Sequence, residues 1–300
     1  MIRTIAFIGF GEAARAFQKT LAAHDPALCF SAYDIIQDGA GAEAICKAMA
    51  ERGVAVAESP AALAAADWII SAVTADQSLA AVEALVPHLR PGCLVIDINS
   101  VSPGRKRATA ALVEAKAAAY LDMAVMAPVH PRGHRTPTLI AGPAAGSVSG
   151  ELKRLDFDFR IVGAETGAAT AIKMVRSLFV KGLEAVTVEC LLAAQASGCF
   201  DEVYHSIARD FSGLGWPDFA AYEFERTLRH GRRRAAEMRE SAATINELGL
   251  NGALAAEIAK VQERMGNAGA PAPAADALAQ GIAAVVKARL GERAAQAESA

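Results

Sequence analysis

Apolar positions along the chain fall into two textures that change near residue 163. In the first, short apolar runs alternate with stretches whose apolar residues recur at helical spacing. The runs predict strands at Thr4–Ile8, Leu28–Tyr33, Trp68–Val73, Leu94–Ile98, Ala119–Ala124, Thr138–Ala141 and Phe159–Val162, with a short one near Val54–Ala57. Ala13–Ala23, Ala42–Arg52 and Pro103–Lys116 are among the helical stretches between them. Alternation at this pitch predicts an α/β Rossmann-type, doubly wound, mainly parallel sheet. Beyond residue 163 strand-like runs stop, and helical patterns cover Glu165–Ser197, Asp201–Phe211, Phe219–Leu248, Gly252–Met265 and Ala274–Leu290; the tail 291–300 is expected to fray. The chain therefore reads as a dinucleotide-binding domain over 1–163 and an all-helical domain over 164–300 for substrate and dimerisation. A cleft between two such domains is a usual place for a ligand.

The stretch TAIKMVRSLFVKGLEA, residues 170–185, is amphipathic in an instructive way. Lys173, Ser177, Val180, Lys181 and Glu184 share one stripe of the wheel, and Ile172, Val175, Phe179, Leu183 and Val186 form the other. The polar stripe faces either water or a cleft, and position along the fold favours the cleft. A helix leaving the last strand must pass the mouth of the sheet and presents Lys173 there.

Composition narrows the class. A net charge of −3 gives no general attraction to nucleic acid or to an anionic membrane surface. The five cysteines show no C-x-x-C spacing, so neither a disulfide framework nor a metal site is expected. MIRTIAFIGF runs straight into a glycine turn with no secretory pattern, and no apolar run is long enough to span a bilayer. A cytoplasmic protein with a small-molecule substrate is the expectation.

The chemistry starts at the first turn. TIAFIGFGEAARAF gives a strand, then Gly9-Phe10-Gly11-Glu12-Ala13-Ala14, then a helix. Gly9 permits the tight turn, Gly11 lets backbone approach a pyrophosphate, and Ala14 stands where a third glycine lets helix pack on strand. The anion is then placed at the helix N-terminus. Twenty residues past Ala14, Asp34 ends the second strand, where a carboxylate accepts from ribose hydroxyls and repels a 2′-phosphate. NAD is accordingly preferred to NADP, and Asp34 as a turn cap is the structural alternative. Val73 and Thr74 after the fourth strand, and Asn99 and Ser100 after the fifth, are further crevice candidates, because ligands lie at the carboxyl ends of such strands. Thr74 and Ser100 are equally placed to cap helices.

Together the GxGxxA turn, the DINSVSP segment, the LDMAV strand and the G-x(5)-K pattern of Gly167 and Lys173 resemble the β-hydroxyacid dehydrogenases, which include 3-hydroxyisobutyrate and 6-phosphogluconate dehydrogenases. The resemblance covers roughly residues 3–195; the remainder looks like a divergent branch with its own helical domain. It implies oxidation of a hydroxyl to a carbonyl with Lys173 as general acid/base, and a homodimer or higher oligomer. Three positions depart from the family pattern. Ser177 stands where an asparagine usually follows the lysine by four residues. Asn99 and Ser100 replace a Ser-Thr pair. DMAVMAP, anchored on Asp122, puts Met126-Ala127-Pro128 where a Ser-Gly-Gly segment grips the substrate carboxylate.

A substitute grip is therefore expected in MAPVHPRGHRTP, residues 126–137, through His130, Arg132 and His134, with an exposed basic loop as the alternative. The basic block LRHGRRRAAEMRE, residues 228–240, reads as a solvated face with intrahelical pairs to Glu237. The combined expectation is an NAD(P)-dependent dehydrogenase acting on a polar hydroxy compound, with Lys173 catalytic and Asn99, Ser100 and Ser177 positioning the substrate. The rivals are an imine reductase-like enzyme and a non-catalytic dinucleotide sensor.

Overall fold

The computed structural model describes residues 2–297, the last seven by backbone alone. The expected tail 291–300 thus lies outside the residues whose side chains are described. Two compact units emerge, Met1–Met174 and Val175–Ala300.

In the first unit an eight-stranded sheet has the order β3-β2-β1-β4-β5-β6-β7-β8. The strands are β1 (Thr4–Ile8), β2 (Cys29–Tyr33), β3 (Val54–Val56), β4 (Trp68–Ser71), β5 (Leu94–Asp97), β6 (Ala119–Val125), β7 (Thr138–Ala141) and β8 (Phe159–Gly163). Every pairing is parallel except that of β6 with β7. Central strands WIIS and LVID are buried along their whole length, as strands covered on both faces must be. The covering helices are α1 (Glu12–His24), α2 (Ala42–Ala50), α3 (Pro60–Leu63), α4 (Ser78–Leu85), α5 (Pro103–Glu114) and α6 (Ala145–Arg154). Phe7, Phe10, Phe17 and Phe30 fill one face, and Ile8, Ile69, Val95 and Tyr120 the other. Because β1 lies between β2 and β4, the chain reverses its direction of travel across the sheet there. The carboxyl ends of β1 and β4 open a crevice at that point.

Helix α7 (Ala168–Ala196) begins in the first unit and continues into the second, which adds α8 (Phe200–Asp210), α9 (Asp218–Glu247), α10 (Ala253–Asn267) and α11 (Leu278–Ala297). Val188, Leu191, Phe224, Met265 and Ile282 form one core, and Ala235, Met238 and Ile258 another. Helices α9 and α10 cross at a pair of glycines. A methyl group on Gly231 would stand 2.6 Å from the Gly266 nitrogen, and one on Gly266 would stand 2.6 Å from the Arg232 nitrogen.

The faces of α7 resolve the ambiguity in the wheel. Ser177, Lys181 and Glu184 are buried and Lys173 is partly buried, whereas Ile172, Val175 and Val186 are exposed and Phe179 is 75% exposed. The polar stripe is therefore the inward one. Its charges are matched by neighbours. The Arg234 guanidinium grips both oxygens of Glu184, and the Gln262 amide adds a bond of 2.7 Å to the same carboxylate. The basic block of α9 is thus only partly the solvated face expected of it. Arg233 makes the intrahelical pair with Glu237, but Arg234 is buried against α7.

Candidate functional site

At the end of β1, Gly9 has φ +84°, and a Cβ there would stand 2.5 Å from the Ala72 carbonyl oxygen. No other residue type closes this turn against β4 without displacing it. Gly11 is different. A Cβ on it would meet no protein atom within 4 Å, so its bareness answers no internal packing demand and leaves backbone open to a ligand. The first amides of α1, from Glu12 through Ala14, have no intrahelical acceptor by helix geometry, as a helix end that receives an anion requires. Gly9 N–H donates to the Tyr33 carbonyl and Phe10 N–H to Asp34 Oδ2, at 2.8 and 2.7 Å. The turn is thus pinned from β2 and its later amides point onward. Phe10 itself is buried, with the Arg15 guanidinium 5.7 Å from its ring centroid. These residues fit a bound dinucleotide pyrophosphate.

Asp34 fulfils its structural alternative: its second oxygen accepts from Ile36 N–H at 3.0 Å, capping the 3₁₀ turn Ile35–Asp38. Its carboxylate still stands at the end of β2, beside the glycine turn it holds.

The ends of β4 and β5 are tied by Asn99. Its Oδ1 accepts from Val73 N–H at 2.8 Å, and its amide donates to Ser71 Oγ at 2.8 Å. Asn99 is buried and shapes the crevice wall. Thr74 is exposed at the start of a 3₁₀ turn and does not cap it through its side chain, and Ser100 is half-buried just beyond Asn99. The cap of α5 is Ser102, not Ser100.

Beneath this wall lies a buried ionic cluster. Lys106 of α5, with no exposed surface, stands 3.0 Å from Asp97 Oδ1 and 3.5 Å from Asp122 Oδ1, and donates to the Asp97 carbonyl. Tyr120 donates to Asp97 Oδ2 at 2.6 Å, and burial holds its phenol well above the usual range. Two carboxylates against one ammonium leave an excess negative charge. The start of α7 answers it: the N–H groups of Gly167 and Thr170 both donate to Asp122 Oδ2, each at 3.1 Å. Gly167 has φ +101° and lies on Pro103. Thr170 Oγ1 donates to the Val101 carbonyl at 2.8 Å, fastening α7 to the segment that carries Asn99 and Ser100. Lys173 follows Thr170 by three residues, one helical turn or about 5 Å along the same face.

The structure thus assembles Gly9–Ala13, Asp34, Val73, Thr74, Asn99 and Ser100 along one edge of the sheet, with the Lys173 turn of α7 fastened there. It does not bring the tip of the 126–137 loop to that edge. Gly133 lies directly on α1, where a Cβ would stand 2.5 Å from the Ala16 carbonyl oxygen. His134 has no exposed surface: its Nδ1 is 2.7 Å from Thr20 Oγ1, its ring packs edge-on against Phe157, and burial lowers its pKa to about 4. Thr20 is eight residues beyond Glu12, some 12 Å down the helix from its N-terminal end. His134 is a packing residue that fastens the loop, and the expectation that it holds substrate is corrected. Arg135 pairs with Asp156, and His130 and Arg132 are exposed. An open depression of about 530 Å³ beside Arg132 and Arg135 is floored by Thr20 and Phe157, so it belongs to this far end of α1. Ser177 lies on α7 one turn beyond Lys173, buried in the helical unit, and accepts from Lys181 at 3.2 Å. Lys181, on the same stripe, is neutralised by Glu237 at 2.8 Å.

Fold and turn define a nicotinamide-dinucleotide-binding protein of Rossmann type. The model of the NAD binding domain of 6-phosphogluconate dehydrogenase matches residues 4–148, and that of a domain of unknown function, DUF1932, matches residues 194–265. A conserved hypothetical protein from Sinorhizobium meliloti 1021 is 35% identical in a solved structure, with a TM-score of 0.71 over 96% of this chain and 97% of that one. The Mycobacterium tuberculosis 3-hydroxyisobutyrate dehydrogenase, solved with L-serine, shares the fold at 19% identity and TM-score 0.69, covering 96% of this chain and 99% of its own. An uncharacterised 28.5 kDa protein of Methanothermus fervidus is 25% identical over 58% of this chain; the match spans 66% of that relative's length. The chain belongs to one family with the Sinorhizobium meliloti protein; its own NAD binding domain, of the 6-phosphogluconate dehydrogenase type, is followed by a DUF1932 domain. Among the described residues no helix is long and apolar enough to cross a membrane.

Proposed function

We propose that the protein interconverts the hydroxyl of a small polar hydroxy compound, a hydroxy acid in the simplest case, and the corresponding carbonyl, with Lys173 as general acid/base. The observation that supports this reading is the Thr170–Val101 bond: it fastens the first turn of α7 to the segment after β5, and Lys173 lies one turn beyond Thr170. The dinucleotide, when bound at Gly9–Ala13, supplies the hydride acceptor or donor. Lys173 Nζ in its neutral form takes the proton leaving the substrate hydroxyl, and as an ammonium it returns that proton to the carbonyl oxygen in reduction. Such a positioned base contributes on the order of 10²–10⁴ in rate. Ser100 and Ser177 supply hydroxyl groups that orient the substrate oxygen. Asn99 acts by holding the crevice wall rather than by contact.

Asp34 supports NAD over NADP, since its charge at the end of β2 disfavours a 2′-phosphate. The exposed stripe Ile172, Val175, Phe179 and Val186 supports assembly with a second copy, because two such stripes laid against each other about a twofold axis bury one another. The cell interior is the proposed location, in line with five cysteines that all remain free thiols.

The test is a panel of 3-hydroxy acids with NAD⁺ and NADP⁺, run beside cyclic imines with NADH and NADPH. Oxidation of a hydroxy acid that disappears in Lys173→Ala, with NADH affinity kept within a few-fold, supports the reading. Full activity in Lys173→Ala removes it. Imine reduction alone would favour the reductase reading, and NADH binding without any turnover would favour a sensor.

A further inference from the structure

Lys181 is an expensive residue to keep where it is. It lies two turns beyond Lys173 on α7 and is 5% exposed, in a position where a methionine would fill the same space without desolvating a charge. Its surroundings do not make it an isolated accident. Glu237 Oε2 stands 2.8 Å from its ammonium, the Arg233 guanidinium holds the other oxygen of Glu237, and Arg234 nearby is neutralised by Glu184. Burial, ahead of any neighbour, draws the lysine's pKa down, while the adjacent Glu237 carboxylate opposes that. The remaining contact is the informative one: Lys181 Nζ donates to Ser177 Oγ at 3.2 Å.

An ammonium has no lone pair, so in this bond Ser177 can only accept. A helical serine or threonine ordinarily settles its hydroxyl proton on the carbonyl one turn back, as Thr227, Ser241 and Thr244 of α9 do on Glu223, Glu237 and Glu240. Accepting from a cation polarises the Ser177 O–H and strengthens it as a donor. Resting on the function proposed above, we propose that Lys181 is a positioning residue: held by Glu237, it turns Ser177 into a directed hydrogen-bond donor toward the substrate oxygen that Lys173 protonates and deprotonates. A lone hydroxyl at this place would otherwise be free to present either a lone pair or a proton. Lys181 and Glu237 remove that choice, and they make a serine do what an amide N–H would do.

The experiment compares Ser177→Ala, Lys181→Met and the double variant in the full-length protein, using 3-hydroxypropanoate, 3-hydroxyisobutyrate and 3-hydroxybutyrate with NAD⁺ and NADP⁺. Lys181→Met is expected to lower kcat about tenfold or more with KM changed less than about threefold, since the lost bond matters most as charge develops. The double variant is expected to be no slower than Ser177→Ala, because the lysine acts only through the hydroxyl. Lys181→Arg, which retains a cationic donor, should recover most of the loss. Thermal unfolding and NADH titration show whether each variant is folded. Should Lys181→Met not fold, Glu237→Gln, which keeps the shape but releases the ammonium, is expected to lower kcat in the same way. Unchanged kcat in Lys181→Met or Glu237→Gln, or losses that multiply in the double variant, overturn the proposal. If the wild-type protein oxidises none of the three acids, the proposed function falls and this inference falls with it. If Lys173→Ala is inactive but Lys181→Met is not, only this inference fails.

Discussion

Asp122, inside a buried strand, accepts a hydrogen bond from the backbone N–H of Thr170 in the first turn of the helix that carries Lys173. The same carboxylate is one of two that compensate the fully buried ammonium of Lys106. A charge needed inside the sheet domain is thereby also the cap that sets where α7 begins. Breaking one member of such a cluster leaves the rest uncompensated. Asp122→Asn is expected to cost about 3 kcal/mol of stability in chemical denaturation, and to reduce turnover further by loosening the turn before Lys173. Stability equal to that of the wild type would show that the cluster does not anchor the helix.

The two glycines of the first turn should fail in different ways. Gly9→Ala forces a methyl group onto the Ala72 carbonyl at positive φ and is expected to lower both thermal stability and NADH affinity. Gly11→Ala meets no protein atom, so its melting temperature should stay within about 2 °C while NADH affinity drops at least about tenfold. Differential scanning fluorimetry and NADH fluorescence titration separate the two. Unchanged NADH affinity in Gly11→Ala would place the pyrophosphate elsewhere.

Two buried groups give stability opposite dependences on pH. His134 has its pKa lowered from 6.5 to about 4 by burial, so between these values the unfolded chain binds the extra proton. Its contribution is complete above pH 6.5 and is lost as the pH falls toward 4. Glu223 in α9 is raised from 4.5 to about 7, again by burial, so here the folded chain binds the extra proton and stability is lost as the pH rises from 4.5 to 7. Glu223→Gln is therefore expected to stabilise at pH 8 by on the order of 1–3 kcal/mol, with much less effect at pH 4.5. His134→Gln should flatten the acid limb of the stability profile. Urea denaturation at intervals between pH 4 and 8 reads both; equal effects of Glu223→Gln at the two ends of that range would refute the second assignment.

Phe179 is the most exposed of the apolar residues on α7. If that face seats a second copy, Phe179→Glu should shift the molar mass in multi-angle light scattering toward a monomer at micromolar concentration. The wild-type protein already running as a monomer would leave the stripe without the proposed occupant.

Much of this was visible in the linear chain. Local periodicity located the strands and long helices, because buried parallel strands are continuous apolar runs and the glycine turn has its own chemistry. The departures have one physical cause. A helical wheel sorts apolar from polar residues but does not know which side finds partners. On α7 the polar side found Glu237, Arg234 and Gln262, and the apolar side faces outward. Lys106 stands between Arg105 and Arg107 in a basic stretch that reads as solvated, yet it keeps the phase of the buried residues Pro103, Ala110 and Val113. That phase was the available signal. The 126–137 loop misled because sequence gives a loop's ends and not its tip. Its ends lie beside the crevice, and His134 leads its tip away along α1.

The crossing of α9 and α10 has a mechanical corollary. With Gly231 and Gly266 in backbone contact, no side chain lies between the two helices at that point to act as a bearing. Rotation or sliding there would drive main chain into main chain, so the crossing behaves as a fixed pivot. Arg234 and Glu237, one and two turns beyond it on α9, inherit that fixity and transmit it to Glu184 and Lys181. The polar stripe of α7 is thus registered by two residues whose whole contribution is to have no side chain at all.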